Sequence, residues 1–185
     1  MLVTRLTSAQ LEDGLDVIRQ SPRDQGELQL IVRRPRVGER EIVEEGQLDL
    51  VDGLVGDSWK YRASSRSADK KSPHPDLQLT VMNTRAVALI AQDAARWALA
   101  GDQLFVDLDL SGEHLPAGTR LGIGMAVIEV TALPHTGCGK FVERFGLDAM
   151  RFVNSPVGRA LNLRGINARV VQAGTIRRGD IVRKL

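Results

Sequence analysis

The chain has very little cysteine. Cys138 is the only cysteine among 185 residues. A single thiol cannot form an intrachain disulfide or a multi-cysteine zinc site, so both are excluded. If this residue takes part in chemistry, it acts as one nucleophile, one persulfide carrier or one metal ligand. The alternative is a core cysteine without chemistry, because free cysteines are among the most buried residue types.

Aromatic residues, net charge and long apolar runs are also scarce. The chain has only two Trp, one Tyr and four Phe, too few to predict a base-stacking platform for nucleic acid. A net charge of +2 does not favour binding to DNA or to an acidic membrane. The apolar runs are far shorter than the roughly 20 residues of a membrane span, and the N-terminus lacks signal-peptide features. We therefore expect a cytoplasmic protein, in which a free thiol stays reduced.

The length and the apolar pattern predict a single domain over residues 1–185. Three helices are expected, at Thr7–Gln20, from Asn83 or Thr84 to Gly101, and at Asp148–Asn154. Short alternating runs separated by turn residues predict strands, at Leu28–Arg33, Leu77–Met82, Leu104–Leu110, Thr119–Ile123, Ala126–Thr131, Ala168–Gln172 and Asp180–Lys184. The predicted fold class is mainly β, a barrel or a sandwich, with a few peripheral helices.

A long polar segment interrupts these elements at Trp59–Pro75, and it contains five Lys or Arg residues. Loops of this length are often lids or binding loops, but they can also be solvated excursions without a role. We keep both interpretations, with the basic stretch Lys60–Lys71 as the candidate lid.

The residues around Cys138 predict an accessible thiol. Gly137 and Gly139 flank it without side-chain bulk, and His135 and Lys140 lie three residues before and two after. Nearby cations lower the pKa of a thiol and favour the reactive thiolate. His135 is therefore a candidate general base or thiol activator, with the alternative that it only holds its loop by hydrogen bonds.

Arginines concentrate after this loop. The stretch from Arg151 to Gly179 holds six of them and no acidic residue. They are either an anion site, because guanidinium groups bind phosphate bidentately, or charges scattered over a solvated surface. Arg164 and Arg169 bracket a Gly-Ile-Asn turn and are the first candidates, and Arg144 is the third.

Two segments are specific enough to suggest a family, Pro134–Phe141 around the cysteine and Arg164–Val171. Together with weaker segments at Gly53–Asp57, Leu79–Asn83, Gly101–Leu104, Leu115–Thr119 and Gly179–Val182, they cover most of the chain. On these residues the chain resembles the MOSC family, named after the C-terminal domain of molybdenum-cofactor sulfurase, and in particular its stand-alone bacterial members. Trp59 occupies the place where the family often has a histidine in Gly-Asp-x-His.

The resemblance implies a mainly β, barrel-like MOSC fold and a molybdenum cofactor, which is a phosphorylated pterin dithiolene. It implies that Cys138 binds molybdenum, that His135 assists in catalysis, and that Arg164, Arg169, Arg144, Lys140 and Asn167 hold the cofactor. The expected activity is reduction of N-hydroxylated small molecules with electrons from a partner reductase. The alternative is a sulfur carrier, in which Cys138 receives a persulfide from a cysteine desulfurase that uses pyridoxal phosphate. A cofactor-binding or storage protein is a third reading.

Overall fold

The computed structural model describes residues 4–185 as six α-helices, eleven strands and short 3₁₀ turns. The α-helices are α1 Ser8–Asp13, α2 Leu15–Arg19, α3 Thr84–Ala91, α4 Gly139–Phe145, α5 Leu147–Asn154 and α6 Pro156–Ala160. The strands are β1 Gln25–Arg33, β2 Glu41–Val43, β3 Glu45–Asp49, β4 Gly53–Leu54, β5 Leu79–Asn83, β6 Leu104–Asp107, β7 Arg120–Ile123, β8 Ala126–Pro134, β9 Ile166–Gln172, β10 Gly174–Arg177 and β11 Ile181–Lys184. The 3₁₀ helices are Trp59–Tyr61, Pro75–Leu77 and Ala94–Ala100.

Seven strands close into a barrel. Their order is β1-β11-β7-β8-β9-β5-β6, and β6 returns to β1. The pair β5–β6 is parallel and the other six pairs of the ring are antiparallel. Strand β2 extends the sheet beside the end of β1, and β10, β3 and β4 form a separate small sheet. The predicted fold class, mainly β with a barrel and a few helices, is confirmed.

Alternation along the strands produces two apolar cores. In β6, Leu104 and Val106 belong to the cluster shared by all the barrel strands, whereas Phe105 belongs to a second cluster with the helices. Successive strand residues point to opposite faces, so one strand supplies both cores. The second core includes Phe141 and Phe145 of α4, which fixes the helix that follows Cys138.

Two predicted helices are broken in the structure. The first begins at the predicted capping box of Thr7 and Gln10, but Gly14 divides it into α1 and α2. The second is capped by Asn83 and begins at Thr84, and Gln92 ends it in a left-handed conformation before a 3₁₀ helix continues to Ala100. The sequence prediction also missed α4 and α6, because both are short and draw their stability from packing more than from helix propensity.

Over residues 4–185, no helix has the length and apolar character that crossing a membrane requires. The segment Trp59–Pro75 is, as predicted, mostly turns and bends, with one 3₁₀ turn at Trp59–Tyr61. Its N-terminal part lies against the cleft described next.

Candidate functional site

A basic cleft of about 260 Å³ lies beside the loop that carries Cys138. Six of its lining side chains are cationic: Arg34, Arg40, Arg62, Lys140, Arg144 and Arg164. Among residues 4–185, no carboxylate side chain lines it. The six cations come from four separate segments of the sequence, at 34–40, 62, 140–144 and 164, and the fold brings them together at one place. The remaining lining includes Val37, Thr80 and Phe141.

Cys138 is exposed and lies on the wall of this cleft. Strand β8 ends at Pro134, the loop His135–Cys138 follows, and Cys138 is the residue that precedes α4. Its carbonyl accepts hydrogen bonds from the N–H groups of Phe141 and Val142. The prediction of a solvent-reachable thiol at a cleft is confirmed, and the alternative of a core cysteine is wrong.

Asn154 holds the cysteine loop from the side of α5. Its Oδ1 accepts from the Gly137 N–H at 2.9 Å, and its Nδ2 donates to the Gly137 carbonyl at 3.1 Å. A Cβ atom on Gly137 would lie 3.0 Å from a Val153 methyl group, so the glycine permits this close approach. Gly139 meets nothing within 4 Å, which leaves open space beside the thiol. Sequence analysis missed Asn154, because an isolated asparagine in a helix carries no signal for this contact.

Four of the cleft arginines are tethered to four successive backbone carbonyls. Arg40 donates to Ala98 (3.2 Å), Arg144 to Leu99 (2.8 Å), Arg164 to Ala100 (2.8 Å) and Arg34 to Gly101 (3.0 Å). These carbonyls lie at the C-terminal end of the 3₁₀ helix Ala94–Ala100, where backbone acceptors lack partners within the helix. One turn of backbone thus fixes the positions of four guanidinium groups.

Two of these arginines also have a buried carboxylate behind them. Arg34 binds Asp57 in two places, through Nε and Nη2 at 2.8 Å each. Arg164 binds Asp102 at 2.6 Å, and its guanidinium lies 5.0 Å from the centre of the Phe141 ring. Both carboxylate side chains are fully buried. The Nε of Arg164 is buried without a hydrogen-bond partner among the described residues.

Arg40, Arg62, Lys140 and Arg144 form no ion pair with the carboxylates of residues 4–185. Burial lowers the pKa of Arg40, and the positive charges of Arg144, Arg34 and Arg62 lower it further. The pKa of Arg62 is lowered by burial and then by Arg34. The cleft therefore concentrates positive charge, and an anion placed in it would relieve this repulsion.

His135 is neutral at physiological pH. Burial, followed by the charge of Arg164, lowers the pKa of His135 to about 3, although Asp102 acts in the opposite direction. Its Nδ1 lies 3.4 Å from Asp102 Oδ1, and the side chain keeps 18% exposure. A neutral imidazole of this low basicity is a poor general base and cannot stabilise a thiolate as a cation. The alternative, a histidine that holds its loop by hydrogen bonds, gains no support from Nδ1, because this nitrogen and Asp102 Oδ1 are both buried without a hydrogen-bond partner among the described residues.

The structure places the other predicted residues in two groups. Lys140, Arg144 and Arg164 line the cleft with Cys138, as expected. Arg169 lies elsewhere, on the outside of β9, where it pairs with Glu129 at 2.7 Å, so the expectation that it faces the same cleft is wrong. Asn167 is buried and donates to the Leu133 carbonyl at 2.9 Å, so it supports the end of β8 and does not line the cleft. Trp59, at the family's histidine position, donates its backbone N–H to Asp57.

Sequence analysis did not name Arg34 or Arg40, and it included Arg62 only as part of the candidate lid Lys60–Lys71; these three are half of the cationic lining. Arg34 and Arg40 belong to a basic run, Arg33–Arg40, with four arginines and one glutamate. This run was a usable signal. The four carbonyl groups that bind the arginines have no comparable signal in the sequence, because they belong to an apolar segment, Ala98–Gly101.

Comparison with solved structures identifies the fold. YuaD from Bacillus subtilis matches with a TM-score of 0.59 at 17% identity, over 85% of this chain and 94% of that protein. YiiM from Escherichia coli gives a TM-score of 0.54 at 19% identity, over 86% of this chain and 69% of that one. YiiM from Geobacillus stearothermophilus gives 0.53 at 14% identity, over 89% and 74%. No family model and no curated protein matches the sequence.

YuaD and YiiM are MOSC-domain proteins, so the shared fold is consistent with the resemblance seen in the sequence. Within residues 4–185, no group of three or more His, Cys, Asp or Glu side chains is arranged to hold a metal ion. Cys138 is an exposed thiol on a cleft wall that six cationic side chains also line.

Proposed function

We propose that the chain is a MOSC protein that binds a molybdenum cofactor in the basic cleft and reduces N-hydroxylated compounds with an external electron donor. One observation carries the proposal: an exposed, lone thiol lies on the wall of a cleft lined by six cations and no carboxylate of the described residues. A soft sulfur donor suits molybdenum, and guanidinium groups suit a phosphate.

The lining fits a phosphorylated cofactor. Among residues 4–185, Arg40, Arg62 and Arg144 have no ion-pair partner, and the buried Nε of Arg164 lacks a hydrogen bond. These groups would hold the phosphate and the pterin edge, and Cys138 would supply a sulfur ligand to the metal. When bound, the cofactor supplies a metal centre that exchanges electrons and oxygen with the substrate.

The chain's own residues have distinct roles in this proposal. Lys140 adds a positive charge to the cleft wall that carries Cys138. Asn154 keeps the loop in place through Gly137. His135, neutral and set against Asp102, is a positioning residue on this wall, and the loop Lys60–Lys71 is a candidate lid, because Arg62 lines the cleft and the charge of Arg66 acts on His135.

The test is metal and pterin analysis after purification from a host that makes the cofactor. We expect the wild type to carry molybdenum and oxidised-pterin fluorescence and to reduce an N-hydroxylated amidine with a reduced viologen dye. Cys138→Ser should lose the metal and the activity together. Its free energy of unfolding should change by less than about 1 kcal/mol, because the position is exposed.

Ala173→Ser is the matched control. Ala173 is exposed and lies outside the cleft lining, so the substitution introduces the same hydroxyl group away from the site. It should behave as the wild type. A Cys138→Ser protein with full metal content and activity would contradict the proposal. Metal and pterin without any reductase activity would leave a binding or storage protein.

A sulfur carrier is the second candidate, favoured by the exposure of Cys138, Gly139 and Lys140 together. A partner's persulfide can reach such a thiol directly. In this case the wild type holds little molybdenum, and incubation with a pyridoxal-phosphate cysteine desulfurase and cysteine adds one sulfur atom to Cys138. Mass spectrometry detects that sulfur, which Cys138→Ser cannot accept.

A further inference from the structure

We propose that a second cavity, which shares His135 with the basic cleft, binds an uncharged organic molecule that donates hydrogen bonds from N–H or O–H groups. The inference deepens the proposed function, because it assigns the body of the substrate to this cavity, and it rests on that function for the identity of the natural ligand. The binding site itself follows from contacts that involve neither Cys138 nor the cleft arginines.

The second cavity has a volume of about 270 Å³ and lies beside the last residues of β8. Within residues 4–185, no Asp, Glu, Lys or Arg side chain lines it. The apolar part of its lining includes Leu115, Val130, Leu133 and Ile166. A charged ligand would lose its water here without gaining a counter-charge, so the lining favours an uncharged ligand.

The cavity lies at an irregular point of the β8–β9 pair. Val130 pairs with Ala168 and Pro134 pairs with Ile166, so residues 131–133 lie opposite a single residue of β9, Asn167. All four of these residues, 131–133 and Asn167, line the cavity. Extra residues of this kind bend a strand and redirect its side chains, and they are frequent beside active sites.

Two asparagines provide unused hydrogen-bond acceptors. Asn167 is only 2% exposed, and its Nδ2 donates to the Leu133 carbonyl at 2.9 Å. Asn162 also lines the cavity, and its Nδ2 donates to the Leu110 carbonyl at 2.8 Å. Each amide is thus fixed through its nitrogen, and no group of the described residues donates to Oδ1 of either one. A ligand with N–H or O–H groups would satisfy these two oxygens.

His135 connects this cavity to the site of the proposed chemistry. It lines both the cavity and the basic cleft, and the loop His135–Cys138 leads from it to the thiol. A neutral N-hydroxylated amidine carries both N–H and O–H donors, and an apolar substituent on it would suit the aliphatic lining. The cavity therefore fits the body of such a substrate next to the cleft.

The experiment is an NMR titration of isotope-labelled protein from a host that cannot make the cofactor, with benzamide and with N,N-dimethylbenzamide. We expect benzamide to shift the signals of Ala132, Leu133 and Asn167 in a saturable way. The dimethyl compound keeps the ring and the carbonyl but lacks N–H donors. It should bind at least about tenfold more weakly, the factor expected when its hydrogen bonds to the two asparagines are lost.

Two variants locate the binding. Ala117 lines the cavity and is exposed, so Ala117→Phe can fill the cavity without disturbing the core, and it should weaken benzamide binding at least about tenfold. Ala173→Phe is the matched control, because Ala173 is exposed and lies outside the lining. Asn162 has a φ of +49°, which glycine also adopts, so Asn162→Gly removes one acceptor and keeps the backbone conformation. It should bring the affinities for the two amides closer together.

Absence of saturable shifts in the wild type, equal affinities for the two amides, or unchanged benzamide binding in Ala117→Phe would overturn the cavity as a binding site. In protein that carries the cofactor, Ala117→Phe should raise the KM for the N-hydroxylated amidine at unchanged molybdenum content. An unchanged KM would overturn the assignment of the cavity to the substrate. Benzamide binding in a protein that never acquires molybdenum would reject the proposed function and leave the binding site standing.

Discussion

Arginines of this chain occur in two contrasting regions, the cleft and the outside of the barrel and small sheet. In the cleft, Arg34 and Arg164 have side chains only 9% and 8% exposed, and backbone carbonyls tether them. On the outside, Arg169 and Arg177 are 47% and 64% exposed, and each pairs with a glutamate at 2.7 Å. The same residue type is thus a fixed part of a site in one region and a solvated partner in the other.

The contrast shows why proximity in sequence does not define an anion site. Arg164 and Arg169 are five residues apart, but Arg164 precedes β9 and turns toward Asp102, whereas Arg169 lies within β9 and points outward. Exposed ion pairs contribute little to stability because water and salt screen them. Buried pairs are costly to break, because the remaining charge is left without a partner.

The largest effect should follow from removing a buried carboxylate. In Asp57→Asn the Arg34 guanidinium loses its counter-charge, while side-chain size is preserved. We expect a loss of about 3 kcal/mol in the free energy of unfolding, the lower end of the range for breaking a buried pair. Urea denaturation with an unchanged m-value measures it.

The matched control is Glu129→Gln, the same chemical change at the outer pair with Arg169 and Arg120. Its cost should stay below about 1 kcal/mol. Equal losses in the free energy of unfolding for Asp57→Asn and Glu129→Gln would contradict the predicted difference between the two regions.

An intermediate effect should come from His135 and should depend on pH. Its folded pKa of about 3 lies below the usual 6.5, so between these values the unfolded chain binds a proton that the folded one does not. Stability from this residue is therefore complete above pH 6.5 and is lost as the pH falls toward 3, and at one pH unit below 6.5 the expected loss is about 1.4 kcal/mol. Burial is the largest cause of this lowered pKa, Arg164, Arg34 and Arg66 lower it further, and Asp102 opposes the change.

Comparison of wild type with His135→Gln checks this. The stability curve of the variant should be flatter between pH 6.5 and 4, because Gln does not titrate. His114→Gln is a control for the general effect of losing a histidine. Parallel curves for wild type and His135→Gln would show that the folded pKa of His135 is ordinary.

The smallest effect should come from Arg169→Ala. This side chain is 47% exposed and faces away from the cleft, so phosphate affinity should be unchanged and stability should fall by at most about 1 kcal/mol. Arg164→Ala sharpens the comparison, because it should weaken phosphate binding. If Arg169→Ala weakened phosphate binding as much as Arg164→Ala, the outer arginines would have to be counted with the site.

Much of the fold could be predicted from the local sequence pattern. Strands such as β1 and β9 alternate or run apolar between turn residues, and the Thr7 cap is explicit in the sequence. The breaks at Gly14 and Gln92 were not readable, since they depend on what each half of the helix packs against. The order of strands around the barrel is a long-range property that periodicity does not contain.

The site could be predicted only in part, because it too depends on long-range contacts. Cys138, Lys140 and Arg144 are close in sequence, and flanking glycines mark the loop. Arg34, Arg40 and Arg62 lie far before Cys138 in the sequence, and hydrogen bonds to backbone carbonyls leave no signal in the side-chain types. For Arg169, the alternation of Ala168 and Val170 as buried neighbours indicates an outward direction, and weighing that signal would have excluded it.

The two ends of strand β1 pair with different strands. Gln25–Glu27 pairs with β11 and completes the ring, whereas Ile31–Arg33 pairs with β2, which lies outside the ring. The connection from β1 to β2 carries Val37, Gly38 and Arg40, all on the cleft wall. Substitutions at Val37, Gly38 or Arg40 change the rim of the cleft without replacing a residue that pairs in the ring. The connection from β1 to β2 is therefore the part of the chain in which substitutions can change ligand preference while the strand pairing of the barrel stays the same.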